Sequence, residues 1–230
     1  MQTAAQQFFF LRAALHKSFD GLFCGRWPDV ERLGHNSGWH IKTSGIDSDS
    51  VVYCAGVGQD VSFELALSER FGSMVHLFDP SPTGIGTMSL KENQAAGLIF
   101  HPIGLAGESG EQEFGEPTDP AEGSFSTANK YTKSIKFDCT SLADFMREQG
   151  HDHVDLLKMD IEGSEYGVLD ALLRDRLPVR MLCCEFHHFL HGYSRLTTLR
   201  CILRLKQGGY SLIHKDHHDY TFLWVGKVGT

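Results

Sequence analysis

Two clusters of ionisable residues follow apolar runs of the sequence, where they could take part in acid–base chemistry. The clusters are Asp160, Glu162 and Glu165 after the run 154–159, and Glu185, His187 and His188 at the end of the run 181–186. Histidine titrates near neutral pH, and strand alternation sends His187 to the same side as Glu185. We therefore predict His187 as a general base or a group that positions the substrate, with His188 as the fallback and Asp160 and Glu185 beside it.

Other roles stay open for these residues. Glu162 and Glu165 could merely complement the positive end of the following helix, which is the reading we favour for Glu165. Asp160, Glu185 and His187 could also converge on a divalent metal, because mixed oxygen and nitrogen donors bind such ions. Spacing alone does not establish such a site, so our prediction includes no metal.

A strand, a glycine turn and a helix follow one another around residues 51–60. Gly56 and Gly58 allow a tight bend and a close approach of ligand to backbone. Asp79 ends the next predicted strand and lies 23 residues after Gly56. This spacing is typical of a carboxylate that accepts the ribose hydroxyls of a nucleoside, although Asp79 could instead begin the turn that follows it. We predict a nucleoside cofactor at Gly56, Val57, Gly58 and Asp79.

The charge near this loop favours S-adenosylmethionine over a dinucleotide. Val61 stands where the dinucleotide pattern has its third glycine, and acidic Asp60 begins the helix. A carboxylate there would repel a pyrophosphate, which is usually held by bare amides at a helix N-terminus. S-adenosylmethionine has no phosphate and a net positive charge, which suits Asp60, Asp79 and Asp160.

The elements that position these residues are short apolar runs alternating with helical patterns. The runs are Val51–Ala55, Met74–Phe78, Leu98–Phe100, Val154–Met159 and Met181–Phe186, and the helices are predicted near 61–71, 141–150, 164–173 and 197–207. This alternation is typical of a parallel sheet covered on both faces. Two β-rich runs at 210–214 and 220–225 are too close for a parallel crossover. We predict an α/β, doubly wound, mostly parallel sheet with an antiparallel C-terminal hairpin.

Two segments do not fit the alternation. Residues 106–133 predict a surface insertion beside the strand ends. His214, His217 and His218 fall in the final hairpin, and we interpret them as a solvated turn.

Composition limits the class of protein. The chain has 230 residues and a net charge of −8 from 21 basic and 29 acidic residues, which disfavours non-specific nucleic-acid binding. No stretch approaches the ~20 apolar residues of a membrane span. Six cysteines without a CxxC pair suggest buried, reduced thiols and a cytoplasmic location.

The chain divides into a lead-in segment and a catalytic domain. Residues 1–50 hold an amphipathic helix and a loop-rich stretch, and residues 51–230 form the cofactor-binding domain. The helix carries Phe8, Leu11, Leu15 and Phe19 on one face and has three consecutive phenylalanines, so a homodimer contact there is one prediction and packing on its own chain is the other.

Four segments resemble the FkbM family of S-adenosylmethionine-dependent methyltransferases. They are Gly56–Glu64, Phe78–Pro82, Pro102–Leu105 and, most specifically, Leu157–Glu165. The resemblance implies the seven-stranded sheet of class I methyltransferases and methyl transfer, commonly to a hydroxyl oxygen. The chain departs from many methyltransferases at Cys54 and Asp60.

The resemblance also implies where the cofactor lies. Gly56 and Gly58 would contact its methionine part and Asp79 its ribose. Gly104 and Leu105 would lie near its adenine, and Asp160 beside the methyl donor.

The leading hypothesis is therefore an O-methyltransferase that acts on a hydroxyl of a small molecule, sugar or glycolipid. One alternative is an NAD(P)-dependent oxidoreductase. The other is a catalytically silent module that binds the cofactor.

Overall fold

A computed structural model describes residues 27–117, 124–127, 133–188, 190 and 192–226. The strands are β1 (Val30–Leu33), β2 (Trp39–Lys42), β3 (Val52–Ala55), β4 (Val75–Phe78), β5 (Leu98–His101), β6 (Gly104–Ala106), β7 (Gly110–Gly115), β8 (Ser134–Ser141), β9 (Val154–Met159), β10 (Val179–Glu185), β11 (Tyr210–Asp216) and β12 (Asp219–Trp224). The helices are α1 (Ser62–Phe71), α2 (Pro82–Ser89), α3 (Leu142–Gln149), α4 (Glu165–Asp175) and α5 (Arg195–Gln207), with a 3-10 turn at Lys91–Asn93. The amphipathic helix predicted around Phe8–Phe19 lies outside the described residues.

The main sheet has seven strands in the order β11-β12-β10-β9-β3-β4-β5. Neighbours from β10 through β5 pair in parallel, and β12 is antiparallel to both β10 and β11. The predicted parallel strands and terminal antiparallel hairpin are thus confirmed. Because the parallel strands point the same way, the carboxyl ends of β3, β4, β9 and β10 meet at one edge of the sheet.

Both faces of this sheet are covered. On one face α3, α4 and α5 bury residues such as Phe145, Leu169 and Leu205. On the other face α1, α2 and the β1–β2 hairpin contribute Leu67 and Trp39 to a second apolar cluster. Burying a side chain of this size stabilises the fold by about 1.5–3 kcal/mol. The β1–β2 hairpin from the predicted lead-in segment therefore packs directly on the sheet.

Local signals fix the ends of α3 as predicted. The Ser141 hydroxyl accepts the backbone N–H of Asp144 at 3.1 Å, and Gly150 ends the helix with a left-handed φ of 73°. These two residues satisfy backbone groups that the helix termini leave without partners.

The segment predicted as a surface insertion belongs in part to a second sheet. β6, β8 and β7 form three strands, with β6 parallel and β7 antiparallel to β8. Phe114 and Cys139 are buried there against Phe125 and Phe137. β7 shows no apolar alternation, because its buried residues Phe114 and Gly115 are adjacent, and the glycine-rich composition of 106–133 therefore gave no strand signal. This small sheet brings phenylalanine rings to the carboxyl edge of the main sheet.

Candidate active site

A cleft opens at the carboxyl edge of the main sheet. Its lining comes from the glycine loop after β3, the turn after β4, the start of β6, the β9–α4 turn and the phenylalanines of the small sheet. The predicted cofactor residues in the lining are Gly56, Val57, Gly58, Asp79, Gly104, Leu105 and Asp160. Asp60 is not part of this lining.

Gly56 allows the backbone to pass close to the end of β9. Its φ is 86°, and a Cβ built on it would lie 1.8 Å from the carbonyl oxygen of Asp160. Its N–H donates to the carbonyl of Phe78 at 2.9 Å, which ties the loop to β4. Only glycine fits here, because a side chain would meet both steric and conformational strain.

Lys158 also stabilises the glycine loop, through its side chain. The side chain is 4% exposed, and its Nζ donates to the carbonyl of Gly56 at 2.5 Å and lies 3.7 Å from Glu64 Oε1. Burial alone would lower the pKa of Lys158, but the carboxylates of Glu64 and Asp160 raise it. Lys158 therefore stays charged, and it is a paired lysine rather than one that reaches solvent.

Asp79 joins the glycine loop to the turn after β4. Its Oδ2 accepts the backbone N–H groups of Val57 and Gly58 at 3.0 and 3.1 Å, and its Oδ1 accepts that of Ser81 at 2.8 Å. A Cβ on Gly84 would lie 2.2 Å from Asp79 Cγ, so α2 approaches this carboxylate closely. Asp79 thus begins the turn, as the structural alternative expected, and also faces the cleft, where its ribose role stays a prediction.

Asp60 caps α1. Its Oδ1 accepts the N–H of Ser62 at 2.9 Å, and its Oδ2 accepts the N–H of Ser37 at 2.9 Å. Partial burial raises the pKa of Asp60, but these backbone bonds outweigh it and leave the pKa below its ordinary value. The helix terminus at which a dinucleotide's pyrophosphate usually binds is therefore already occupied by a carboxylate.

The predicted catalytic residues converge at the ends of β9 and β10. His187 is 3% exposed, and its Nε2 lies 3.4 Å from Glu162 Oε2, 3.7 Å from Asp160 Oδ1 and 3.9 Å from Glu185 Oε1. Asp160, Glu185 and His187 each offer one ligand atom within 4.8 Å of the others. This distance suits the donors of a single divalent ion as well as a charge network.

Glu165 orients His187 from the opposite side. Its carboxylate is fully buried, and Oε1 accepts the His187 Nδ1–H at 2.7 Å. It also accepts the backbone N–H groups of Ile161 and Gly163, each at 2.9 Å. From the sequence we favoured a helix-terminus role for Glu165, and its bond to His187 was not foreseen. Nothing in the spacing of two residues 22 positions apart signals that contact.

The carboxylates set the charge of His187. Burial alone would lower the pKa of His187, but Glu165, Glu162 and Asp160 raise it to about 10. Burial and the nearby Asp160 raise the pKa of Glu185 to about 8. An imidazole with this pKa holds its proton at neutral pH, which favours the positioning role for His187 over that of a general base. Both roles stay predictions.

Glu162 belongs to the acidic cluster named from the sequence, but it was not among the predicted catalytic residues. It lines the cleft beside Asp160, and its φ of 52° is left-handed. A non-glycine residue in that region costs about 1 kcal/mol or more and tends to be kept where function needs it.

A second, polar cavity adjoins the cleft. It shares Ser37 and Asp160 with the cleft and is lined mainly by polar residues of the β1–β2 hairpin and the β11–β12 hairpin. These include Arg32, Asn36, His40, Glu185, His214, Asp216, His217, His218 and Asp219.

The terminal histidines are therefore not simply a solvated turn. The side chain of His217 is 90% exposed, but the His214 ring stacks on His40 at 3.7 Å. His188, the fallback base, lies with its ring 4.8 Å from that of His218.

The chemistry of the cleft fits S-adenosylmethionine. Leu105, Phe125 and Phe137 offer an apolar surface for an adenine ring, and Asp160 and Glu162 offer negative charge for a sulfonium and an ammonium. Among the described residues that line the cleft, Lys158 is the one cation, and it is already bound to the Gly56 carbonyl.

The family described as the methyltransferase FkbM domain matches residues 43–212. A solved structure of a Methanococcus jannaschii fibrillarin, a pre-rRNA processing protein, is similar at 13% identity with a TM-score of 0.43, covering 87% of this chain and 84% of the fibrillarin chain. No curated protein matches the chain. Within the described residues, no helix has the length and apolar character required to cross a bilayer. The family match spans most of the sequence, and the chain therefore belongs to the FkbM family of methyltransferases.

Proposed function

We propose that this methyltransferase uses S-adenosylmethionine to methylate a hydroxyl oxygen of a polar, polyhydroxylated small molecule such as a sugar or glycolipid head group. The observation that carries the proposal is the junction of two cavities at Asp160. One cavity has the apolar and acidic lining that suits the cofactor, and the other has the polar lining that suits the acceptor.

The loop geometry supports the proposed position of the cofactor. The bare backbone around Gly56 and Gly58 accommodates the methionine part, and Gly58 leaves open space where a side chain would stand. Asp79 accepts the ribose hydroxyls, and Leu105 packs on the adenine. Asp60 does not contact the cofactor; it stabilises the start of α1 by accepting the N–H of Ser62.

The polar side chains of the second cavity support its proposed role as the acceptor site. Arg32, Asn36 and the β11–β12 turn present both donors and acceptors of hydrogen bonds to the second cavity. A substrate with several hydroxyls can satisfy such groups, whereas a purely aromatic acceptor would leave them unpaired at a cost of about 1–3 kcal/mol each.

Methyl transfer needs alignment more than chemical assistance. When bound, S-adenosylmethionine supplies a methyl group whose carbon–sulfur bond breaks, with its electron pair left on sulfur, as the acceptor oxygen forms the new carbon–oxygen bond. Asp160 lies where the two cavities meet, so it borders the line of attack. Glu162, which faces the same cleft, takes the hydroxyl proton. His187, held by Glu165, keeps the carboxylates of Asp160 and Glu185 in place. Alignment of the reacting atoms at about 3 Å supplies most of the acceleration.

A labelled-methyl assay tests this proposal. The protein is incubated with S-adenosylmethionine labelled in the methyl group and with a panel of monosaccharides, glycosides and polyols, and a matched panel of phenols. We expect label on a hydroxyl oxygen of a sugar-type acceptor. Label on phenols alone, or on nitrogen, would contradict the acceptor assignment. Tight binding of the cofactor without turnover on either panel would favour the silent binding module.

Two variants separate the halves of the site in that assay. Asp79→Ala should abolish cofactor binding and turnover together. His187→Ala should spare cofactor binding and reduce turnover, and unchanged turnover in this variant would refute the role given to His187.

A further inference from the structure

The cluster at the ends of β9 and β10 has more acidic groups than one histidine can balance. Asp160, Glu162 and Glu185 all face His187 Nε2 at 3.4–3.9 Å. Asp219 stands directly opposite Glu185 in the β10–β12 pair. Charged carboxylates directly opposite each other across two strands are destabilising, so a cation bound beside them would favour their charged forms.

The separations around Nε2 are those of ligands around a common ion. Two ligands that each bind an ion at about 2.1 Å lie about 3.0–3.4 Å apart when adjacent and about 4.2 Å apart when opposite. The distances from His187 Nε2 to Asp160 Oδ1 and Glu185 Oε1, 3.7 and 3.9 Å, fall within this span. By contrast, the bond from Nδ1 to Glu165 at 2.7 Å is an ordinary charge-assisted hydrogen bond.

Glu165 supplies an independent indication. A histidine that ligates a metal almost always donates its other ring N–H to a carboxylate or carbonyl, which fixes the ring and the tautomer. Here Nδ1 donates to a fully buried carboxylate that two backbone N–H groups hold in place. Nε2 is thereby directed to the side where Asp160 and Glu185 present their oxygens, and an ion bound there would replace the proton that Nε2 otherwise carries at neutral pH.

We propose that Asp160, Glu185 and His187 bind a divalent first-row transition metal, with Mn²⁺ as the ion to test. One imidazole nitrogen and two carboxylate oxygens favour such an ion over Mg²⁺ and Ca²⁺, which prefer oxygen alone. The Asp160 and Glu185 side chains are 35% and 26% exposed, so the ion has access from the cavities.

The role of the ion rests on the proposed function. With three protein ligands, an ion there would keep coordination positions for water or for the acceptor hydroxyl. A hydroxyl bound to the ion would have a lowered pKa, and Glu162 would take its proton. The ion would thus help to orient the acceptor oxygen.

Titration with MnCl2, followed by the electron paramagnetic resonance signal of Mn²⁺ in solution, tests the site without relying on activity. The full chain is first treated with EDTA and dialysed. We expect one Mn²⁺ per chain, and at least a tenfold weaker affinity in Glu185→Gln and in His187→Gln.

His153 gives a matched control, because its Nδ1 lies 2.6 Å from a carboxylate oxygen of Asp152 but the pair is exposed on the surface. His153→Gln should bind Mn²⁺ like the parent protein. Glu185→Gln keeps the volume of a partly exposed side chain, so it stays informative even if the buried His187→Gln fails to fold.

Affinity for S-adenosylhomocysteine, measured by calorimetry on the same samples, separates the two proposals. Absence of Mn²⁺ binding, or equal binding in the parent protein and Glu185→Gln, overturns the metal site. If the EDTA-treated protein still binds S-adenosylhomocysteine and transfers methyl at its full rate, the proposed function stands without a metal. Mn²⁺ binding lost in the variants, in a protein that does not bind S-adenosylhomocysteine, supports the site and refutes the proposed function.

Discussion

The two halves of the proposed site, the cofactor cleft and the polar acceptor cavity that adjoins it at Asp160, are built by different means. The cofactor half is mostly backbone. Asp79 accepts the N–H groups of Val57 and Gly58, and the Lys158 ammonium donates to the carbonyl of Gly56. The acceptor half is mostly side chains, brought together from β9, β10, α4 and the terminal hairpin around His187. A backbone site holds one ligand shape whatever the neighbouring side chains are, whereas a side-chain site can change with single substitutions. The contrast suggests a fixed cofactor and an acceptor specificity that is easily altered.

The largest effect should come from the backbone of the cofactor half. Gly56→Ala places a Cβ 1.8 Å from the Asp160 carbonyl at a φ of 86°. We expect the loop to be displaced and binding of S-adenosylhomocysteine to be lost, as measured by calorimetry.

Gly86→Ala is the matched control, because its Cβ meets nothing within 4 Å and it lies inside α2. Alanine at that position should bind the cofactor normally and stabilise the helix by up to about 1 kcal/mol. Normal cofactor binding in Gly56→Ala would show that the loop is less constrained than its geometry indicates.

Breaking the buried ion pair between Lys158 and Glu64 should have the next largest effect. Lys158→Met leaves the buried Glu64 carboxylate without its cation and removes the donor to the Gly56 carbonyl. Breaking a buried pair in this way costs about 3–5 kcal/mol of unfolding free energy, which chemical denaturation would measure. Lys136→Met removes an exposed lysine paired with Glu111 and should leave the midpoint unchanged. Equal midpoints for the two variants would argue against a structural role for Lys158.

A third test sharpens the division between the halves. Glu165→Gln keeps the volume of the buried side chain but weakens its hold on the His187 Nδ1–H. We expect kcat to fall about 10–100-fold while the affinity for S-adenosylhomocysteine is unchanged. Steady-state kinetics and calorimetry measure the two quantities, with the exposed Glu148→Gln as control. A parallel loss of cofactor affinity would mean that the halves are not independent.

The smallest effect concerns a buried histidine away from the cleft. His76 in β4 lies against His101 and the rings of Tyr53 and Phe145. Burial, helped by the nearby His101, lowers the pKa of His76 from 6.5 to about 4. It shows what burial does to an imidazole when no carboxylate surrounds it.

The lowered pKa has a defined consequence for stability. Below pH 6.5 the unfolded chain takes up a proton that folded His76 does not. Its contribution is therefore complete above that pH and decreases as the pH falls towards about 4, by at most about 1.4 kcal/mol per pH unit. Denaturation at pH 7, 6 and 5 should show a steeper loss in the parent protein than in His76→Phe. Identical pH dependence would mean that His76 is protonated in the fold.

The contrast between the halves also explains what could be predicted from the sequence. The five parallel strands, the hairpin and the glycine loop are local signals, because apolar runs and glycine spacing reflect contacts within about ten residues. Asp79 was identifiable for the same reason, since a strand end at a known spacing from the loop has few alternatives.

The acceptor half depends on contacts that the sequence does not encode locally. Spacing could name Asp160, Glu185 and His187 as candidates, but their separations follow only from the order of β9 and β10 in the sheet. The bond from Glu165 to His187 and the left-handed Glu162 have no signature in composition or periodicity. The charge of His187 depends on all of these neighbours together, so the sequence could not distinguish its two predicted roles, general base and positioning group.

The most direct test of the central claim is a calorimetric titration of the purified chain with S-adenosylhomocysteine and, separately, with NADH, repeated with Asp79→Asn and with the exposed Asp152→Asn. We predict that one S-adenosylhomocysteine binds per chain, that NADH does not bind, and that Asp79→Asn weakens the affinity at least about tenfold, equivalent to about 1.4 kcal/mol, whereas Asp152→Asn does not. Binding of NADH in place of S-adenosylhomocysteine, or an unchanged affinity in Asp79→Asn, would contradict the account.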